Sequence, residues 1–514
     1  MSKMYAAGID IGTSGCKSII ADEMGNVIAA ETVEYPLYTP QPGWAEQDPS
    51  DWWEGTVKSM RRAIEKSGID PKQIAGVGLS GQMHGMVALD KNSNVIRRAI
   101  LWNDQRTGKQ CKEVVDAAGG EEGLLGLTNN LMLPGYTGGK ILWLRENEPE
   151  LYEKVKIILN PKDYIRYLLT GEYATEVSDA SGTGLFDVRK RCWCDKLISL
   201  LKIPRDILPK CYESIETTGR LTRKASMETG LPEGLPVVGG GGDAVIQTTG
   251  MGLIKEGILG ITIGTSGIAA MGLDSFKSNP GGRLQVFCNN APDIWHVMGV
   301  TLSAGGSYQW YRNRLCEAER SKAAETGRDV YDILGEEALA SSPGSRNLIF
   351  LPYLSGERCP YPDPAARGAF IGLTLLHTKG DMTRSIMEGV TYSLRQVYEL
   401  ILKMGSVKVQ EIRISGGGSR SPLWRQIQAD IFQTPVKTVS GSGEGGAYGA
   451  ALVAGVGCGI WKNLGEAAKN LKTETETMPN TALKGLYNEL YDIYNSMYPS
   501  LTGAFNRLSA NLGQ

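Results

Sequence analysis

Ile9-Asp-Ile-Gly-Thr-Ser-Gly15 returns as Ile261-Thr-Ile-Gly-Thr-Ser-Gly267. Each copy follows a short apolar run and precedes another, the pattern of strand, tight glycine turn and strand. Seven residues alone carry little weight. The matching context on both sides predicts a duplicated fold: an α/β chain of two related lobes, each offering one glycine turn to a shared cleft. We place the break near Gly250–Gly257, giving lobes 1–252 and 253–514.

Around the first copy, a second strand over Ser18–Asp22, a turn at Met24–Asn26 and a third strand over Val27–Glu34 are expected. Residues 86–101 repeat this grammar with a strand at Met86–Leu89, a turn at Lys91–Asn94 and a further strand from Val95. A helix between them starts at Asp48-Pro49-Ser50 and buries Trp53, Val57, Met60 and Ile64. In the second lobe, Asp381–Met404 reads as a long helix with Met382, Ile386, Val390, Leu394, Val397 and Ile401 inward. Another begins near Ala482, with Leu486, Leu490, Ile493 and Met497 on its apolar face.

Apolar content of 41% and charged content of 21% are those of an ordinary globular chain, and the net charge of −2 argues against nucleic acid or an acidic membrane surface as partner. No apolar run reaches the roughly 20 residues of a membrane span. The opening MSKMYAAGID lacks a signal-peptide pattern. Nine scattered cysteines, with Cys192 and Cys194 the closest pair, read as reduced thiols rather than a metal site, so a cytoplasmic location is expected. Glycine is the outlier, at 65 of 514 residues against ~7% on average. Its excess is clustered, which means several turns that must approach something closely.

Asp10-Ile-Gly-Thr-Ser-Gly15 is the first phosphate candidate. Its turn amides can form an anion nest, Thr13 and Ser14 add hydroxyls, and Lys17 adds charge. Asp10 offers a carboxylate for Mg²⁺. A plain hairpin would look the same; the second copy, with Gly264 and Thr265, favours phosphate. There is no Walker A pattern, and the formal G-x-G-x-x-G at Gly76–Gly81 is followed by a strand, not the helix a dinucleotide site needs. Gly239–Gly242 precede Asp243 at a helix start. One glycine would suffice for an N-cap aspartate; four suggest a carboxylate left bare for a substrate hydroxyl, kept ionised by the helix N-terminus. Such a group suits the base of a phosphoryl transfer.

Arg413–Trp424 reads as strand, glycine turn and helix, with Ser421 as N-cap and Pro422 at the first helical position. Gly417, Gly418 and Ser419 would lie against an adenine or its ribose. The small-residue helix Glu444–Gly455 would pack under that site. Gly81-Gln82-Met83-His84-Gly85 places a histidine between glycines, and Trp102-Asn-Asp104 adds an aromatic and an acid suited to sugar hydroxyls, so Gln82, Met83, His84, Trp102 and Asp104, with Asp243, are the candidate substrate contacts. Thr301–Trp310 and Tyr353–Arg358 are expected to border the cleft.

From Gly8 to about Gly459 the chain resembles the FGGY carbohydrate kinases. Two family signatures fit in spacing. The first is Gly135-Tyr-Thr-Gly-Gly-Lys140-Ile-Leu-Trp143. The second is Gly368-Ala-Phe-Ile-Gly-Leu373, a seven-residue gap, and Asp381-Met-Thr-Arg-Ser-Ile-Met-Glu388. The resemblance implies two actin-like (ribonuclease H-like) lobes with sugar and MgATP between them. It makes Asp243 the proton acceptor, Met83, His84 and Asp104 sugar contacts, the Gly12-Thr13 and Gly264-Thr265 turns phosphate contacts, and Gly417-Gly418 neighbours of adenosine. The Gly81–Gly85 loop with Trp102–Asp104 resembles the version of the family that takes D-xylulose. Ribulose, another ketopentose, gluconate and glycerol are the alternatives, and an actin- or heat-shock-type ATPase that grips a polypeptide is a remote one. Family analogy allows a homodimer. Gly138-Gly139 depart from the usual pair and leave the conformation of that segment, read as surface, open.

Overall fold

The computed structural model describes residues 3–405 and 408–511. The chain divides into two compact units. The first runs to Lys255 and adds Gly272–His296 and Ser440–Lys472. The second holds Glu256–Met271, Val297–Val439 and the chain from Thr473.

The first unit is built on seven strands: β1 (Tyr5–Ile11), β2 (Gly15–Asp22), β3 (Val27–Glu34), β4 (Ile74–Gly81), β5 (Thr217–Arg220), β6 (Pro236–Val238) and β7 (Gly241–Gly242). They lie in the order β5-β6-β4-β1-β2-β3, with β7 also on β4. β1, β2 and β3 pair antiparallel. β4 runs parallel to β1, which demands a crossover, supplied by the helix Pro49–Ser67. Asp48 caps that helix and Pro49 opens it, as its sequence predicts. Its buried face is rotated from the expected one. Trp52, Gly55, Thr56, Ser59, Met60 and Ala63 face inward, while Trp53, Val57 and Ile64 are half-buried. Hydroxyl contacts explain the turn, since Ser59 bonds Ser18 of β2 at 2.7 Å and Thr56 meets Cys16.

β4 carries the Gly76–Gly81 pattern, to which the sequence assigns no strand. Its glycines suit a close neighbour. A Cβ on Gly78 would lie 2.1 Å from the carbonyl oxygen of Ala450, and one on Gly8 of β1 2.0 Å from that of Ala447. The helix Gly446–Gly457 therefore rides directly on β1 and β4, with Ala447, Ala450, Leu452 and Val453 in the core beneath it. This corrects the expectation that it packs under the nucleotide site. It is also why the first unit reclaims a segment from beyond a single break at 252/253. The segment Met86–Leu89 is not part of the main sheet; Val87–Leu89 pairs with Ile157–Leu159 instead.

The second unit repeats the plan with β8 (Ile258–Ile263), β9 (Gly267–Leu273), β10 (Trp295–Thr301), β11 (Glu411–Ser415), β12 (Val436–Val439) and β13 (Thr473–Thr477). Their order is β10-β9-β8-β11-β12-β13. β8 pairs antiparallel with β9 and parallel with β11, as β1 does with β2 and β4. The seven-residue echo thus extends over six strands, and the fold is two actin-like (ribonuclease H-like) units.

The long helix spans Lys379–Lys403 behind a Thr378–Asp381 capping box, with Met382 only half-buried on its expected stripe. The last helix, Lys484–Asn511, buries Tyr487, Leu490, Tyr491 and Tyr494, while Ile493 is exposed. Two of these tyrosines set their hydroxyls on buried partners, Tyr487 on Glu388 at 2.9 Å and Tyr494 against Tyr353 at 3.3 Å. No helix among the described residues is long and apolar enough to cross a membrane.

Candidate active site

In the first unit, Gly239–Gly242 lead into the helix Asp243–Gly250. The glycines do not leave open space, contrary to their reading in sequence. A Cβ on Gly241 would lie 2.3 Å from Asn290 Nδ2, and one on Gly242 2.5 Å from Met83 Cγ. Close packing is what requires them. The Asp243 carboxylate accepts the N–H of Ala244 at 2.7 Å and that of Met83. Burial, reinforced by the negative charge of Asp10, nonetheless pushes its pKa up to about 7. The expectation that the helix N-terminus keeps this group ionised is thereby corrected: desolvation outweighs the two amides.

Met83 is itself buried, so it meets Asp243 through its backbone. Next to it, His84 adopts φ 68°, the left-handed region that non-glycine residues rarely enter. Its Nδ1 lies 2.5 Å from the carbonyl of Gly182. A carbonyl only accepts, so Nδ1 carries the proton and a neutral ring has Nε2 as acceptor. The ring stacks on Tyr136 at 4.5 Å.

Gln82 is fully buried and serves the first glycine turn. Its Nε2 donates to Gln47 Oε1 at 2.8 Å, and its Oε1 accepts from Thr13 Oγ1 at 3.4 Å. Gln47, which no sequence signal marked, donates to the Thr13 carbonyl at 2.7 Å. Trp102 is 41% exposed rather than core, and its Nε1 donates to Thr13 Oγ1 at 2.9 Å. The turn itself is the β1–β2 hairpin, closed by Gly12 N to Gly15 O at 3.0 Å, with Ser14 exposed. Asp10 ends β1 opposite Lys17. Its Oδ1 accepts from Ser80 at 2.6 Å, and burial raises its pKa against the pull of Ser80 and Lys17. Lys17 pairs with Glu444 at 3.1 Å, a partner the sequence did not suggest.

Asp104 departs most from its reading. It has no exposed surface. Its oxygens accept from Ala45 N at 2.7 Å and from Arg106 N, Nε and Nη2 at 2.9, 2.9 and 2.7 Å. With four protein donors and no exposed surface it braces the Trp102 loop.

The second unit holds a cavity of about 870 Å³, within the range of small-ligand sites. The expected Gly264, Thr265, Gly417 and Gly418 line it together. Ser419 does not; its hydroxyl turns back to Gly416 O at 2.8 Å. Gly305 and Gly306 open a helix beneath the second turn, and Gly305 N donates to Gly264 O at 2.8 Å. Tyr308 and Leu339 add the apolar surface a flat base needs. Of the segments expected at the cleft, Thr301–Trp310 supplies Gly305, Gly306, Tyr308 and Gln309 to this cavity's lining.

Two topologically equivalent α/β units, one with a buried carboxyl behind four glycines and the other with a cavity of small-ligand size, define the actin-like fold class. Comparison with known proteins agrees. Residues 5–250 match the N-terminal domain and residues 259–458 the C-terminal domain of the FGGY family of carbohydrate kinases. The chain is 36% identical over 509 residues to the xylulose kinase of Lactococcus lactis, covering 98% of each. It is 32% identical to the gluconokinase of Bacillus subtilis over 87% of this chain and 86% of that one. The crystal structure of ligand-bound xylulose kinase from Lactobacillus acidophilus superposes with a TM-score of 0.90 at 26% identity, covering 98% of this chain and 100% of that one. This chain belongs to the FGGY family and is a carbohydrate kinase.

Proposed function

We propose that this chain transfers the γ-phosphoryl group of ATP to the terminal hydroxyl of D-xylulose, giving D-xylulose 5-phosphate and ADP. The observation that carries the reading is the Asp243 carboxyl, held by two amides beside the His84 loop with its proton affinity tuned near neutrality. The sugar oxygen bonds to phosphorus as the bridging bond to ADP breaks, and its proton passes late to Asp243. His84 Nε2 accepts from a sugar hydroxyl and Trp102 flanks the chain, so that positioning lowers the barrier. The Gly12 and Gly264 amides close their own hairpins, so the Thr13 and Thr265 amides that follow stabilise phosphate charge, and the second unit's cavity takes the adenosine.

Mg²⁺ fits the donors present: Asp10 keeps Oδ2 as a hard oxygen once Ser80 has taken Oδ1. When bound it would neutralise charge on the phosphates. A coupled ADP assay over ketopentoses, gluconate and glycerol tests the sugar. D-xylulose is expected to give the highest kcat/KM; gluconate or glycerol above every pentulose would overturn the choice.

Because the base must be ionised, kcat/KM should fall about tenfold per unit below pH ~7. Asp10→Asn removes a charge that raises Asp243, so it should move that acid limb to lower pH. Stability runs the other way. The folded pKa lies above the ordinary 3.8, so the native state binds more protons between about pH 4 and 7, and stability declines as pH rises through that window. A pH series of kcat/KM and of Tm checks both signs.

Gly335 lines the cavity from a helix, with nothing within 4 Å of an added Cβ. Gly335→Phe should therefore fill the cavity without breaking the helix. We expect KM for ATP to rise about tenfold or more with KM for the sugar unchanged; equal movement of both would remove the nucleotide from this cavity.

A further inference from the structure

The Gly135–Trp143 signature plays no part in the transfer as described, yet it converges on one residue. The helix Thr137–Asn147 is buried from Thr137 to Leu144, so the segment is not surface as its sequence suggested. Its glycine pair fits there by contact: a Cβ on Gly138 would lie 3.0 Å from Met132 Cε, and one on Gly139 3.1 Å from Thr107 Oγ1.

We propose that Lys140 is a positioning residue for the sugar, which it serves by clamping the backbone carbonyl of His84. Lys140 is fully buried. Its Nζ donates to His84 O and to Gly135 O, each at 2.6 Å. Thr137, three residues earlier on the same helix face, donates its hydroxyl to the same His84 O at 3.0 Å. Tyr136 stacks on the His84 ring, and its own hydroxyl accepts from Gln285 at 2.8 Å. Asn160 Nδ2 continues the clamp onto Gly85 O at 2.9 Å and Thr137 Oγ1 at 3.3 Å. Three side chains of one short segment thus hold a residue whose backbone sits in the left-handed region. Such a conformation persists only where its surroundings over-determine it.

The charge on Lys140 is set by its neighbours. Burial lowers its pKa to about 7, Asp104 and Cys111 oppose that, and Arg106 adds to it. The clamp itself does not depend on the proton. A neutral amine still has two N–H groups for two carbonyls. Asp104 acquires a role here, as the buried counter-charge that makes an ammonium tolerable beside the sugar loop.

The inference rests on His84 being a sugar contact, so the test separates the two. Lys140→Met, Thr137→Val, His84→Gln and the Lys140→Met/His84→Gln double variant are assayed with D-xylulose and ATP, alongside thermal unfolding. Lys140→Met is expected to raise KM for D-xylulose about tenfold, the scale of a lost charge-assisted bond. The values of kcat and of KM for ATP, and the acid limb of Asp243, should stay in place. Thr137→Val, which still reports if Lys140→Met does not fold, should raise the sugar KM about threefold. The double variant should be no worse than the worse single one. If His84→Gln raises the sugar KM and neither helix variant does, the clamp is refuted while the sugar site stands. If His84→Gln leaves the sugar KM unchanged, the sugar site falls and the clamp with it. Parallel loss of kcat and both KM values in Lys140→Met would reduce it to a folding residue.

Discussion

Asp243→Asn is expected to lower kcat by roughly 10³–10⁴-fold while ATP binds with nearly unchanged affinity. Asparagine keeps the shape and an oxygen for the Ala244 and Met83 amides, so the loop stays in place; what it removes is a site for the hydroxyl proton. The cavity proposed for the nucleotide is lined by residues of the other unit, and Asp243 is not among them. The same substitution should raise Tm at pH 8, because an ionised carboxyl whose pKa burial has lifted to about 7 opposes folding there. Steady-state turnover, nucleotide titration calorimetry and a melting curve read the three effects. Turnover within tenfold of the parent would remove Asp243 from the chemistry. A fall in Tm would mean that its hydrogen bonds, not its proton, are what the fold needs.

Gly78→Val should have the largest effect on stability. The new Cβ would lie 2.1 Å from the Ala450 carbonyl oxygen and 3.2 Å from the Ala454 Cβ. Both neighbours belong to a helix whose residues are buried from Gly446 to Val456, so neither can yield cheaply. Overpacking of this kind costs about 3 kcal/mol or more, or roughly a 6–12 °C loss in Tm for a unit of this size. Gly485→Ala, in a helix with open space around it, is the control and should be neutral or slightly stabilising. An equal Tm for Gly78→Val and the parent would mean that the helix does not rest on β4.

Local chemistry was legible and distant contact was not. The strand Val27–Glu34 and the helix starts at Asp48-Pro49 and Ser421-Pro422 came directly from the sequence, because turn and cap residues act within four positions. The duplicated hairpin showed itself for the same reason. β4 was missed since its glycines erase the β-branched signal of a strand, and the neighbour that suits them lies far along the chain. Asp104 and Gln82 were read as ligand groups because composition reveals which polar residues occur in a loop, while only the fold reveals that Arg106 and Gln47 already occupy them. Asp243 was found by its glycines, but for the wrong physical cause. The cavity was half visible: Gly264, Thr265, Gly417 and Gly418 announced themselves and Tyr308 lay in a segment expected at the cleft, whereas Leu339 sits on a helix with nothing to mark it.

The seating of Gly446–Gly457 on β1 and β4 sets a timetable for synthesis. A ribosome that has finished Lys255 must still add everything up to Ser440 before the first sheet receives its cover. At ~5–20 residues per second that interval is roughly 10–40 s. For that time the nascent chain carries an unroofed apolar surface at Ala6, Ile19 and Val238, the kind of exposure that makes a folding intermediate prone to aggregate.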